Sequence, residues 1–125
     1  ARSAIKTLQG LKGEGTDATV VLWALAREIR TLCQMAHAIQ QGQAFDRAAK
    51  SNGVWDKRKP LVNNALRRLK LTQLQMLLRK ANGIDKAIKG MRNADTWDEL
   101  MDLTLNLSGT FSLSPQVQKL SLSVN

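Results

Sequence analysis

An aromatic residue next to a run of three cations is the clearest chemical signal in this 125-residue chain. Trp55 lies two residues before the run Lys57, Arg58 and Lys59. An exposed indole ring stacks well on an unpaired nucleobase, and each such contact contributes roughly 1–3 kcal/mol. The cations would then hold backbone phosphates. A tryptophan in this position could equally anchor its loop in the core, so these residues leave two interpretations open: a single-stranded nucleic-acid contact or a packing residue.

Other reactive residues do not combine into a catalytic or metal-binding pattern. His37 is the only histidine, and it pairs with Cys33 at i, i+4 spacing, but two ligands without a third or fourth make a poor zinc site. The glycine cluster at 10–15 lacks the Lys-Ser/Thr pair of a phosphate-binding loop and indicates a helix stop. The acidic pair Asp98–Glu99 is typical of a helix N-terminus favoured by the helix dipole. We therefore predict no metal, no cofactor and no enzymatic activity.

The positive charge of the chain is concentrated in its middle. The formal net charge is +9, and residues 51–90 hold ten Lys/Arg against two Asp/Glu. A basic block on ordered elements suits nucleic acid as a partner, and it suits a solvated basic face equally well. Beyond the Trp55 loop, the block continues along two predicted helices through Arg67, Arg68, Lys70, Arg79 and Lys80.

The cysteine count, the length of the apolar runs and the first residue indicate the compartment and the organisation of the chain. A single cysteine excludes an internal disulfide and fits a reducing cytosol. No apolar run approaches the ~18 residues needed to span a bilayer, so we predict a cytoplasmic protein without a membrane partner. The chain begins with Ala rather than Met, which we interpret as a domain excised from a longer protein.

Helical periodicity runs through most of the chain, and strand signals are nearly absent. The pattern predicts an all-α helical bundle of about five to six helices, two of which stop at Gly42 and Gly90. Residues 1–109 are expected to form this one domain, and the Ser-rich residues 110–125 a weakly ordered tail. The predicted helices cover about 3–12, 17–41, 43–51, 60–70, 72–89 and 96 to the stop at Gly109.

Helix starts are predicted from side chains that accept backbone hydrogen bonds. Thr16 or Asp17 is expected to cap the second helix, and Thr72 the fifth. Thr96 and Glu99 have the spacing of a capping box at the start of the last helix.

The predicted helix 17–41 is apolar beyond its main stripe. Its first two turns are apolar nearly all round, which indicates burial on several sides or contact with a partner. Trp23 in this helix and Trp97 in the last one are interpreted as packing residues. The main stripe consists of Val21, Leu25, Ile29, Leu32, Ala36 and Ile39.

Six segments, in this order and spacing, resemble the C-terminal domain of the delta subunit of bacterial DNA polymerase III. The likeness extends over nearly the whole chain, to about residue 109. The segments are VLWALAREIR at 21–30, VW at 54–55 with Arg58, ALxRL at 65–69, TQL at 72–74, DxAIKG at 85–90 and WxxL at 97–100.

The resemblance implies an assembly role in DNA replication. Delta belongs to the clamp loader, which opens the ring-shaped sliding clamp and places it on primed DNA. The C-terminal domain of the family is a helical bundle that joins its counterparts in the gamma/tau and delta prime subunits to form a collar. The clamp is bound by an N-terminal region that this chain lacks. We therefore expect a non-catalytic accessory domain whose subunit interface includes Val20, Trp23 and Arg27.

The resemblance also implies a DNA contact. In the family, the tryptophan that matches Trp55 lies inside the collar and can stack on the template strand. Without gaps, Arg92 stands where relatives place an aromatic that meets the primer end, and a guanidinium can also stack. The expected contacts with primer-template DNA are therefore Trp55, Lys57, Arg58, Lys59 and Arg92.

A second interpretation stays open at the level of sequence. A free-standing basic helical DNA-binding domain of the helix-turn-helix type exposes polar residues on a recognition helix. The predicted helix 60–70 offers Asn63, Asn64, Arg67 and Arg68 for that purpose.

Overall fold

The computed structural model describes residues 2–91, 93 and 95–107, with side chains from residue 6 onward. This part of the chain contains helices and no strand, so the prediction of an all-α bundle is confirmed. The predicted tail, residues 110–125, lies outside the described residues. The elements are α1 (Arg2–Gly13), α2 (Ala18–Gln40), α3 (Phe45–Ser51), a 3₁₀ turn (Asp56–Arg58), α4 (Lys59–Arg68), α5 (Leu71–Ile88) and α6 (Thr96–Leu107).

The longest helix, α2, is the centre of the bundle. It packs most extensively against α5 and also contacts α3, α4 and α6, while α1 packs on α6. Among the described helices, none combines the length and apolarity needed to cross a bilayer. The predicted stripe is confirmed, because its first four members are buried, namely Val21, Leu25, Ile29 and Leu32.

Two helix boundaries match the local signals in the sequence. Asp17 caps α2, since its Oδ1 accepts a hydrogen bond of 2.9 Å from the backbone N–H of Thr19. At the other end, Gly42 has a φ of 98°, and the N–H of Gln43 donates to the carbonyl of Ala38 at 3.0 Å. This left-handed glycine closes the helix by satisfying carbonyls of its last turn.

The predicted cap of α5 was wrong. The helix begins at Leu71, so Thr72 already lies in the first turn. The backbone N–H of Lys70 instead donates to the side chain of Gln73, with 2.8 Å between N and Oε1. The side-chain hydrogen bond at this helix start is therefore made by a glutamine three residues into the helix and not by Thr72.

The capping box predicted for α6 was wrong by one residue. Asp95 caps the helix, because its Oδ1 accepts a hydrogen bond of 3.1 Å from the N–H of Asp98. Thr96 is the first helical residue, and a carboxylate accepts this bond more strongly than a hydroxyl does.

Alanine substitutions at two glycines test the helix assignments, and we expect them to change the stability of the protein in opposite directions. Gly10 lies inside α1, and nothing comes within 4 Å of a β-carbon built there, so Gly10→Ala is expected to stabilise the protein by roughly 0.5–1 kcal/mol. Gly42→Ala, at its positive φ, is expected to destabilise by roughly 1–2 kcal/mol. Urea denaturation followed by circular dichroism measures both. A Gly10→Ala variant without added stability would contradict a helical α1.

Candidate nucleic-acid loop and subunit surface

The loop after α3 is anchored in the core by Val54. The N–H of Val54 donates to the carbonyl of Ala49 at 2.9 Å, and that of Gly53 donates to Lys50 at 3.3 Å. These two bonds close the end of α3. The Val54 side chain is only 5% exposed. The apolar anchor predicted for this loop therefore exists, but it is one residue before Trp55.

Trp55 points the other way, into solvent. Its backbone is extended, with φ −78° and ψ 159°, and consecutive side chains of an extended backbone face opposite sides. With Val54 inward, the indole of Trp55 is 77% exposed. The interpretation of Trp55 as a core residue was wrong.

Two hydrogen bonds fix the backbone of Trp55. Its carbonyl oxygen accepts from the N–H of Arg58 at 2.9 Å and from that of Lys59 at 3.1 Å. These bonds form the 3₁₀ turn and lead into α4, which has Pro60 in its first turn. The ring of Trp55 is thus presented from an ordered turn.

Arg58 is bound to a carboxylate on α2. Its Nη2 donates to Oε2 of Glu28 in an ion pair that joins residues thirty positions apart. Glu28 is 8% exposed, and the side chain of Arg58 is 22% exposed. Most of this guanidinium is therefore turned towards the protein, whereas a phosphate ligand was predicted.

The two lysines beside Arg58 differ in their surroundings. Nζ of Lys59 lies 3.1 Å from Asp56 and 3.5 Å from Asp46, and the hydrogen bond to Asp56 raises the pKa of Lys59. The ammonium thus stays protonated at neutral pH, with its charge compensated. Lys57 is exposed, and it has no ion-pair partner among the described residues.

An open cleft of about 550 Å³ lies on one side of Trp55. Two lysines and two aspartates are among its lining residues, and Lys50 is exposed on the α3 side. A cleft with an aromatic edge and cations at its rim is large enough for a planar base with its phosphate nearby. Its lining residues are Asp46, Lys50, Gly53, Val54, Trp55, Asp56 and Lys59.

The predicted subunit surface lies on the outer side of α2. Trp23 is 64% exposed, so its interpretation as a packing residue was wrong. Trp97, interpreted in the same way, is half-buried and packs against the core, as predicted. Arg27 is exposed and Val20 is half-buried. Because they follow one another at three- and four-residue intervals, Val20, Trp23 and Arg27 share one helix face.

Two other predicted cations contact α6. The guanidinium of Arg68 donates to the carbonyls of Asn106 and Leu107, at 3.5 and 3.1 Å, and so caps the end of α6. Lys80 lies 3.7 Å from Asp102. The remaining cations of this group are exposed, namely Arg67, Lys70 and Arg79. Arg92 lies outside the described residues.

The helix-turn-helix interpretation loses support from these contacts. Of the four side chains expected to read bases on α4, Asn63 is half-buried and Arg68 is engaged by α6. Only Asn64 and Arg67 stay fully available.

Cys33 and His37 do not form a site with other ligands. Within the described residues, no group of three metal-ligating side chains comes together. Burial raises the pKa of the Cys33 thiol, which keeps it protonated and a weak nucleophile. His37 is exposed on α2, as predicted.

Glu28 and Val54 were not singled out by their sequence patterns. A signal for Glu28 existed, because it lies three residues after Leu25 and four before Leu32, on the apolar side of α2. A carboxylate among core positions implies a buried counter-charge. Nothing local identified Arg58 as that partner among the many cations of the chain.

Comparisons with known proteins identify the family of this chain. The family model for the C-terminal part of the processivity clamp loader gamma complex of DNA polymerase III matches residues 1–113. The chain belongs to this family. The matched relatives are delta subunits, so within the family it is a delta C-terminal domain, and the resemblance noted in the sequence is confirmed.

Two relatives show how far the likeness extends. The DNA polymerase III subunit delta of Haemophilus influenzae is 27% identical over 119 residues, which cover 86% of this chain and 33% of the relative. The DNA polymerase III subunit delta of Escherichia coli is 30% identical over 111 residues, which cover 86% of this chain and 31% of the relative. The chain thus spans about a third of the length of these curated relatives. No solved structure gives a significant match.

Alanine substitutions at Val54 and Trp55 distinguish the buried anchor of the loop from its exposed residue. Val54→Ala removes buried apolar atoms and is expected to lower the free energy of unfolding by about 1–2.5 kcal/mol. Trp55→Ala is expected to change it by no more than about 0.5 kcal/mol. Urea denaturation measures both. Equal losses in the two variants would contradict the placement of Trp55 in solvent.

Proposed function

We propose that this chain is the collar domain of a clamp-loader delta subunit. It assembles with gamma/tau and delta prime subunits in the bacterial cytoplasm and takes part in loading the sliding clamp on primed DNA. The clamp itself is contacted by the N-terminal region of delta, outside this chain. The domain acts by binding, without a cofactor or a catalytic step. Membership of the delta family carries this proposal.

The outer face of α2 supports assembly as the function of this domain. An indole that is 64% exposed on the central helix loses unfavourable contact with water when a partner covers it. Tryptophan and arginine are the residue types that contribute most often to the centres of protein interfaces. Trp23 and Arg27 supply both on one face, with Val20 at its edge.

Assembly is expected to depend on Trp23. Trp23→Ala should weaken association with the gamma/tau and delta prime subunits by about 2 kcal/mol or more, as at interface hot spots, and leave the free energy of unfolding within about 0.5 kcal/mol. Isothermal titration calorimetry measures the association. Gln75→Ala, at an exposed position of α5, is the control. Undiminished binding of the Trp23 variant would place the interface elsewhere.

We further propose that the Trp55 loop contacts the template strand. The exposed ring stacks on an unpaired base, and Lys57 neutralises a phosphate, since its charge is uncompensated in the described structure. Lys59 reaches phosphate by exchanging its aspartate partners, and Arg92 contacts the primer end. The ordered turn supports the proposal, because a backbone that two hydrogen bonds already fix loses little conformational freedom when a base stacks on the ring.

Stacking and charge neutralisation have different signatures. In a complex reconstituted with the partner subunits, Trp55→Ala is expected to weaken binding of primed DNA by roughly 1–3 kcal/mol at constant salt dependence. Lys57→Ala is expected to lower the slope of log affinity against log salt by about 0.7–0.9. Fluorescence anisotropy across a salt series measures both effects.

The exposed Lys86 on α5 provides a control for general charge. Lys86→Ala removes one cation outside the Trp55 loop and should leave affinity and slope nearly unchanged. A Trp55→Ala complex that assembles and binds primed DNA like the parent would overturn the stacking role.

A further inference from the structure

We propose that Arg58 is a positioning residue for Trp55, acting through its ion pair with the buried Glu28 carboxylate and not as a phosphate ligand. The inference rests on the proposed contact between Trp55 and DNA. It assigns functions to Glu28, which no sequence pattern had marked, and to Arg58, which had been grouped with the phosphate-binding cations.

Glu28 requires a partner at this place. A carboxylate that is 8% exposed is strongly unfavourable inside a protein unless a cation and hydrogen bonds compensate it. Among the described residues, Arg58 is its only ion-pair partner. Removal of either member leaves the other without compensation, so the two side chains are bound to each other in the folded protein.

The ion pair is connected to Trp55 through one turn of backbone. Arg58 lies three residues after Trp55, and its N–H donates to the carbonyl of Trp55 at 2.9 Å. On the other side of the tryptophan, Val54 is held in the core by its side chain and by Ala49. Trp55 thus lies between an apolar anchor and an ionic one, with only its ring free.

The same contact ties the loop to the helix that carries the proposed subunit surface. Glu28 directly follows Arg27 on α2, but it faces inward whereas Arg27 is exposed. The ion pair therefore fixes the position of residues 55–58 relative to α2. The ring is therefore positioned relative to the collar.

The effect of Glu28→Gln on DNA binding distinguishes the two roles considered for Arg58, phosphate ligand and positioning residue. If Arg58 were a phosphate ligand, Glu28→Gln would release its charge, strengthen DNA binding and raise the salt slope by about 0.7–0.9. If Arg58 positions Trp55, the same change loosens the turn. Binding then weakens by roughly fivefold or more, the lower end of the stacking contribution, and the slope stays the same.

The experiment is a salt series of primed-DNA affinities in the reconstituted complex. We expect Glu28→Gln and Arg58→Gln to weaken binding at constant slope, and the double variant to be no weaker than the worse single one, since both break one contact. Arg58→Lys, which retains a cation for Glu28, is expected to restore part of the affinity. Asp102→Asn, which breaks the exposed pair with Lys80, controls for the loss of a negative charge.

A second measurement reports on the turn without DNA. Hydrogen exchange of the Arg58 and Lys59 amides, which donate to the Trp55 carbonyl, is expected to accelerate in Glu28→Gln and Arg58→Gln and to stay slow in Asp102→Asn. If a single variant does not fold, the double variant Glu28→Gln/Arg58→Gln, which leaves neither charge unpaired, decides the question by its slope.

The possible results separate the positioning role of Arg58 from the proposed DNA contact. Tighter binding of Glu28→Gln, or a lower slope for Arg58→Gln, would overturn the positioning role. Unchanged amide exchange in both variants would overturn it as well. Faster exchange together with normal DNA binding by Trp55→Ala would leave the positioning intact and reject the proposed DNA contact instead.

Discussion

The Glu28 carboxylate lies on the inward side of α2, and its need for a counter-charge constrains the whole Trp55 loop. A cation must reach it from another element, and Arg58 does so from thirty residues away. For this guanidinium to arrive, the 3₁₀ turn has to lie against α2 and α3 has to end just before it. Val54 then enters the core and Trp55 is left outside. One buried ion pair is thereby joined, through a single turn, to two neighbouring residues with opposite environments.

The central helix combines two tasks because a helix has separate faces. With 23 residues, α2 is about 35 Å long, and its apolar stripe contacts most of the other helices. Its outer face is thereby left free to carry Trp23 and Arg27. The proposed assembly role would use this division, because the exposed face of α2 is held in place by the core that its buried face helps to form. Family membership and the exposed indole support the same interpretation of this helix.

Fewer cations in the middle of the chain are free to bind a partner than the net charge of that segment suggests. Residues 51–90 are strongly basic, yet Arg58 and Lys59 are paired with Glu28 and Asp46, and Lys80 with Asp102. These acidic partners come from the segments before and after the basic block. A net charge counted along the sequence therefore overestimates the field at the loop, because folding brings the compensating carboxylates from outside the block.

The sequence by itself determined the helices and the stop at Gly42, and it limited the cap of α2 to Thr16 or Asp17, because periodicity and capping act within one or two turns. It was wrong at Thr72 and Thr96, where Gln73 and Asp95 offered competing hydrogen-bond acceptors one residue away. It indicated the Trp55 loop as a candidate site, and the family resemblance implied a DNA contact at that loop. Only the tertiary structure decided that Val54 is buried, that Trp23 and Trp55 are exposed, and that Arg58 is bound to Glu28. Burial and ion pairing depend on which distant elements meet, and no local spacing contains that information.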